Sequence, residues 1–217
     1  MLIGITGGIG SGKSVIAQQL RKMGYEVYDT DSEAKRLIVE DSKIREQITA
    51  LFGPEAYKDG VYQTAFVTQQ VFNANSPSPN SPSPNPLLAR LNAIVHPAVR
   101  QDILMKSKSL RVQEFRSSSE SLNSSSAASA PLLFIECAIL YTAHLDELCD
   151  KVVVVTAPEE VRLARTIARD HSDIDKVRAR MRAQSTEEDL RRADIVIHND
   201  GTTPIPILCE QILKELT

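Results

Sequence analysis

Leu2-Ile3-Gly4-Ile5-Thr6-Gly7-Gly8-Ile9-Gly10-Ser11-Gly12-Lys13-Ser14 joins a short apolar run to a glycine-rich turn and a Lys-Ser pair. The apolar run has the composition of a strand. From Lys13 to Met23, the residues Ile16, Leu20 and Met23 recur at helical spacing before Gly24. Strand, loop and helix therefore follow one another, and residues 7–14 fit G-x-x-x-x-G-K-[ST] in the context that pattern needs. Glycine permits positive φ, so backbone N–H groups of the loop can face phosphate oxygens while the helix adds the positive end of its dipole. Lys13 would then reach the β- and γ-phosphates, and the Ser14 hydroxyl would join the shell of a Mg²⁺ ion. The bland alternative is a glycine-rich turn that happens to precede a lysine.

Working outward, Tyr25 to Tyr28 has a strand pattern ended by Asp29-Thr30-Asp31, and helical patterns follow at Glu33 to Glu40 and Ser42 to Phe52. From Ser32 to Phe115 the signals are helical and no buried strand is expected. Gly53-Pro54 and Asp59-Gly60 mark turns, and Pro97 is expected to open a further helix. Leu132 to Glu136 and Lys151 to Thr156 return to continuous apolar runs, the pattern of parallel strands covered on both faces, with Ile195 to Ile197 as a shorter third case. Helical patterns lie at Glu159 to Arg169, Thr186 to Arg192 and Pro204 to Leu216, so the core is expected to be α/β with right-handed crossovers. Two low-complexity stretches, 76–86 and 116–130, are expected to be exposed loops.

The chain has 217 residues, 42% apolar and 24% charged, which suits a globular protein with an ordinary core. A formal charge of −3 lacks the basic excess of a non-specific nucleic-acid binder, so nucleic acid is not an expected partner. Cys137, Cys149 and Cys209 form no zinc-like pattern, and three cysteines cannot all pair within one chain. With no basic leader and no run of eighteen apolar residues, neither secretion nor a membrane span is expected, and the expected location is cytoplasmic.

A phosphate loop alone does not choose among hydrolysis, transfer and switching. No Asn-Lys dipeptide and no Asp-x-x-Gly occur, which argues against a guanine-nucleotide switch, and no Ser-Gly-Gly-Gln occurs, which argues against a transporter-type ATPase. A small-molecule kinase leads, and it needs a carboxylate beside the acceptor hydroxyl. Asp29 and Asp31 follow the second strand, where ligands of open α/β sheets gather, and Asp31 is the preferred base. Against that, Thr30-x-x-Glu33 also reads as a capping box with Asp31 as a first-turn acid. Glu136 closes an apolar strand, as does the acid that holds Mg²⁺ through water in other phosphate-loop proteins; a structural pairing is the alternative.

Between Glu160 and Arg192, eight arginines and one lysine stand against seven acids, so the stretch is locally positive. Arg162, Arg165 and Arg169 share one helical stretch and suit a lid over a triphosphate, though a solvated helix has the same spacing. His96 precedes Pro97 and would line a substrate pocket or simply pack. His144, His171 and His198 are scattered without the spacing of a zinc site.

In order along the chain, Ile5 to Ser14, Asp29-Thr30-Asp31, Leu91-Asn92-Ala93-Ile94-Val95-His96-Pro97, Arg162 to Asp170, Arg182-Ala183-Gln184 and Ala193 to Gly201 resemble the motifs of the dephospho-coenzyme A kinase family. The resemblance implies ATP-dependent phosphorylation of the ribose 3′-hydroxyl of dephospho-coenzyme A, with Mg²⁺ required. By position it assigns the ATP phosphates to Gly10, Ser11, Gly12, Lys13, Ser14 and Val15, the base to Asp31, and lid closure to Arg165 and Arg169. It places the segment containing Asn199 beside adenine, and Asp29, Asp31 and His96 on the acceptor side. Two departures stand out: Thr64 where the family usually has an arginine, and Cys137-Ala138-Ile139-Leu140-Tyr141 where Pro-Leu-Leu-x-Glu is common.

The resulting expectation is an α/β phosphate-loop kinase fold with a five-stranded, mainly parallel sheet. A nucleotide-binding core would comprise 1–31, 131–160 and 193–217, a helical substrate-binding insertion 32–130, and a lid 161–192. A monomer is expected, with an oligomer as the alternative. Another small-metabolite kinase on the same scaffold, or a non-catalytic ATP-binding module, is the rival functional class.

Overall fold

The computed structural model describes residues 1–72, 85–120, 131–171, 173–182 and 186–216, with only the backbone for 113–120 and Thr186. Five strands form one parallel sheet: β1 (Leu2–Thr6), β2 (Glu26–Asp29), β5 (Leu133–Glu136), β6 (Lys151–Thr156) and β7 (Ile195–His198), in the order β2-β5-β1-β6-β7. β1 is buried along its whole length, as a continuous apolar run in the middle of a parallel sheet must be. β7 differs from its expected pattern. It lies at the sheet edge, and its residues alternate between buried and exposed. Side-chain carboxylates secure the amino-terminal ends: Leu2 N–H donates to Asp150 and Val152 N–H to Asp194, each at 2.7 Å.

α1 (Lys13–Lys22) and α9 (Ile205–Leu216) pack against this sheet. Ile16 and Leu20 of α1 and Leu208 and Ile212 of α9 share one cluster with Ile3, Ile5, Phe134, Val153 and Val155. Each such side chain contributes about 1.5–3 kcal/mol by leaving water, which is why the phosphate-loop end of α1 is rigidly based. α6 (Glu159–Asp170), α7 (Ile174–Arg182) and α8 (Thr186–Arg192) follow β6. A smaller cluster of Leu163, Val177 and Met181 joins α6 to α7, a helix that the sequence pattern did not set apart.

The chain divides into two compact units, Met1–Asp29 with Ser107–Thr217, and Thr30–Lys106. The second is helical, with α2 (Thr30–Glu40), α3 (Ser42–Phe52), α4 (Thr64–Val71) and the first part of α5 (Pro86–Glu120). Asp41 starts α3 by accepting the N–H groups of Lys43 and Ile44 at 2.8 and 3.1 Å. A two-residue hairpin, β3 (Tyr57–Lys58) with β4 (Val61–Tyr62), turns at the expected Asp59-Gly60; it is too short and exposed to read as a strand from pattern. Arg36 of α2 binds Glu33, Glu40 and Asp102 at 2.5, 3.1 and 2.8 Å, which ties α2 to α5.

Pro97 does not open a helix. It lies inside α5, which starts at Pro86, where Asn85 accepts the N–H groups of Leu87 and Leu88. A proline in that position removes one helical hydrogen bond, at a cost of about 3 kcal/mol. Val95, Val99 and Ile103, spaced four apart and all buried, offset it. The loop expected at 116–130 is likewise revised at its start, because the backbone stays helical to Glu120. Most of 76–86 and all of 121–130 lie outside the described residues. Among the described residues no helix is long and apolar enough to cross a membrane.

Candidate active site

The turn after β1 is built on three positive-φ glycines. Gly7 (φ 149°), Gly10 (φ 76°) and Gly12 (φ 93°) each take a conformation that side chains resist, and each is also crowded. A Cβ on Gly7 would meet the Val155 carbonyl, one on Gly10 the Arg162 carbonyl, and one on Gly12 the Asn199 side-chain amide. Inside the turn the Ser11 N–H donates to Gly8 O at 3.2 Å, while the fully buried Ser11 Oγ has no partner. Gly12 caps α1 without a side-chain bond, and no acid occupies the first turn. The helix therefore turns its amino-terminal end and the positive end of its dipole toward the loop, with Lys13 as its first residue. This cradle suits a polyphosphate.

Ser14 and the exposed Val15 follow on the same turn. Ser14 donates its hydroxyl to Glu136 at 2.7 Å, and Glu136, only 8% exposed, pairs in register with Asp29 across β2 and β5. The sheet thus brings a hydroxyl, a buried carboxylate and a second acid to one edge of the cradle. That donor set suits Mg²⁺, which takes one or two carboxylates and completes its octahedron with water and phosphate oxygens. No group of three or more His, Cys, Asp or Glu side chains able to hold a metal on protein ligands alone is found among the described residues.

α6 closes the other side. The turn at Arg162 and Thr166 abuts Gly10, and the buried Thr166 hydroxyl donates to Arg162 O at 2.7 Å. Arg162 donates Nε to Ala157 O at 3.1 Å and keeps a buried Nη1 without a partner. Arg165 donates Nη1 to Asn199 O at 2.9 Å, and Asn199 donates its side-chain amide to Ser11 O at 2.9 Å. Arg165 and Asn199 are therefore brought to the loop. Arg169, one turn on and exposed, instead forks onto Asp170 at 2.6 and 3.1 Å and holds that carboxyl below its ordinary value.

Asp29 ends β2, whereas Asp31 is exposed in the first turn of α2. Asp31 is a first-turn acid, as the alternative reading has it, but α2 already includes Thr30, so Thr30 does not stand before the helix as a capping-box residue, and Glu33 pairs with Arg36. Half-buried His96 lies on α5, and burial lowers its pKa. Thr64 is the exposed first residue of α4. Cys137 extends β5 by donating its N–H to Ile5 O, and Leu140 fills the space above Gly4. The Tyr141 ring lies 4.1 Å from the guanidinium of Arg192, which also binds Asp146 at 2.5 Å. Burial pushes the Tyr141 hydroxyl up to about 12. This clamp at the end of α8 was not foreseen, because only the fold brings residues 141 and 192 together. The Gln184 turn lies outside the described residues.

Comparison with known proteins identifies the family and the fold. The family model for CoaE, dephospho-CoA kinase, matches residues 1–204. A dephospho-CoA kinase from Porphyromonas gingivalis is 34% identical over 212 residues, covering 98% of this chain and 91% of its own. A solved structure from Thermus thermophilus superposes with a TM-score of 0.71 at 33% identity, covering 100% of this chain and 98% of its own. Shikimate kinase from Acinetobacter baumannii, at 15% identity and a TM-score of 0.51 over 99% of this chain and 92% of its own, shares the fold alone. With a glycine cradle at the start of α1 on a parallel sheet, and with a family model and relatives matching along nearly its whole length, the chain belongs to the dephospho-CoA kinase family.

Proposed function

We propose that this chain uses ATP to phosphorylate the ribose 3′-hydroxyl of dephospho-coenzyme A, with Asp31 as the base and Lys13, Arg165 and Arg169 around the transferred group. Membership of the family supports the substrates. The observation that carries the phosphate side is the uncapped, acid-free start of α1 behind three positive-φ glycines. Gly10 to Val15 hold the ATP phosphates, and the segment from Asn199 to Gly201 borders the nucleotide. Asp29, Asp31 and His96 serve the acceptor.

The ribose oxygen forms its new bond to the γ-phosphorus as the bond from that phosphorus to the β,γ-bridging oxygen breaks. The displaced pair of electrons stays on ADP, and the hydroxyl proton goes to the Asp31 carboxylate. Lys13 and the loop N–H groups stabilise charge that moves onto the leaving oxygens, and Arg165 stabilises charge on the group in flight. Ser14 and Glu136 would hold Mg²⁺, which when bound would supply positive charge to offset the phosphates. Residues 161–192 act as a lid that excludes water while the acceptor is bound. Residues 32–130 act as the substrate-binding insertion, and 1–31, 131–160 and 193–217 as the nucleotide core. We further propose a cytoplasmic monomer, a setting that three free cysteines suit.

The test is coupled ADP release with dephospho-coenzyme A, AMP, uridine and shikimate as acceptors, followed by locating the new phosphate by NMR. Dephospho-coenzyme A should be far the best acceptor, with phosphate on the ribose 3′ position. Equal rates across acceptors, or phosphate elsewhere, would overturn the reading.

A further inference from the structure

Asn199 occupies the junction of the phosphate loop, the last strand and the arginine helix. It is 3% exposed, and its N–H donates to Thr156 O at 2.8 Å, fixing it to the end of β6. Its side-chain Nδ2 donates to Ser11 O at 2.9 Å. Its main-chain carbonyl accepts Arg165 Nη1 at 2.9 Å, and its Oδ1 lies 3.5 Å from Arg165 Nη2. Two glycines make room for this arrangement: a Cβ on Gly12 would run into the Asn199 amide, and one on Gly201 (φ 97°) would stand 3.3 Å from Arg165 Nη2. Only a carboxamide donates to a carbonyl from one end and faces a guanidinium with an oxygen at the other while staying neutral. An aspartate would set oxygen against the Ser11 carbonyl, and an alanine would leave that carbonyl unpaired.

We propose that Asn199 is a positioning residue that ties Arg165 to the phosphate loop, so that the lid arginine and the loop amides move as one body around the γ-phosphoryl group. The proposal rests on the phosphotransfer reading above. Loop amides and Lys13 already hold the phosphates of the bound nucleotide before transfer as well as during it, whereas Arg165 acts on the group in flight. Loosening the tie between them therefore falls on kcat more than on KM.

The test is a double-mutant cycle of Asn199→Ala and Arg165→Ala, assayed at saturating dephospho-coenzyme A with ATP and Mg²⁺ varied together. Asn199→Ala should lower kcat about tenfold or more, with KM for ATP within about threefold. In the Arg165→Ala background the same change should lower kcat by less than about twofold, because the residue it positions is gone. Asn199→Asp keeps an oxygen for Arg165 but loses the donor to Ser11. It should match Asn199→Ala in kcat, and it carries the test if the alanine variant melts below assay temperature. A full independent loss in the Arg165→Ala background, or a raised KM with native kcat, would assign Asn199 to the loop alone and overturn the proposal. Native protein that fails to phosphorylate dephospho-coenzyme A would remove the functional reading and this proposal together. Normal native turnover with additive losses removes this proposal alone.

Discussion

Ser14 and Glu136 are joined by a 2.7 Å hydrogen bond that connects the first turn of α1 to the carboxyl end of β5, with Asp29 in register on the adjoining strand. A buried carboxylate that spends one oxygen on a hydroxyl beside a phosphate cradle is placed to orient that hydroxyl and to accept from metal-bound water. Glu136→Gln keeps the shape and removes the charge. It should lower apparent Mg²⁺ affinity about 10- to 100-fold, with activity recovering as Mg²⁺ is raised. A Mg²⁺ titration of turnover checks this, and an unchanged half-saturating Mg²⁺ concentration would reduce the pair to a structural one.

Asp31 is an exposed acid in the first turn of α2, so Asp31→Asn should cost no more than about 0.3–1 kcal/mol of stability, a small drop in melting temperature. If Asp31 is the base proposed above, the substitution should lower kcat by roughly 10²- to 10⁴-fold while ATP affinity stays within about threefold. Rapid-quench transfer and calorimetric binding separate the two effects. Turnover within a factor of about two of native would mean that the proton leaves by another route.

The phosphate loop was legible in the sequence because its constraint is local. Gly10 and Gly12 set backbone requirements two residues apart, Lys13 follows at once, and a buried strand before them reads as an apolar run. The sheet was legible for the same reason, apart from β7, where an edge position replaces a continuous run with alternation. Pro97 misled because proline usually marks a boundary, and only the burial of Val95, Val99 and Ile103 shows that tertiary packing carries the helix through it. The pairing of Arg165 with Asn199, and of Tyr141 with Arg192, depends on chain segments 34 and 51 residues apart, and no local pattern encodes either contact. Spacing puts Arg169 one turn beyond Arg165, and only the fold shows that its guanidinium pairs with Asp170.

Gly12 and Gly24 take nearly the same positive φ, 93° and 92°, in opposite surroundings. A Cβ on Gly12 collides with the Asn199 amide, whereas one on Gly24 meets nothing within 4 Å. Gly24→Ala should cost only the backbone strain, about 1 kcal/mol, and leave ATP binding intact. Gly12→Ala should cost about 2–4 kcal/mol and weaken ATP binding as well, because the collision displaces the brace on Ser11. Urea unfolding of both variants, with nucleotide binding in parallel, reads the difference. Equal costs would mean that Asn199 yields without consequence.

His96 supplies a pH dependence with a definite sign. Burial lowers its folded pKa below the ordinary histidine value near 6.5, so the native state binds a proton less readily than the unfolded chain. Stability from this residue is complete above the unfolded value and falls as pH drops from about 6.5 toward the lower folded pKa, since only the unfolded chain gains the proton in that window. Asp170 and Asp200, whose partners hold them below the ordinary aspartate value, lose their contributions only at more acid pH. His96→Gln removes the titration and keeps a polar side chain of similar size. Urea midpoints at pH 7.5, 6.5 and 5.5 should therefore fall less steeply for the variant than for the native chain. The two curves should converge in slope above pH 7. Parallel curves across the whole range would show that the imidazole at position 96 takes up its proton equally in the folded and unfolded states and so takes no part in the acid response.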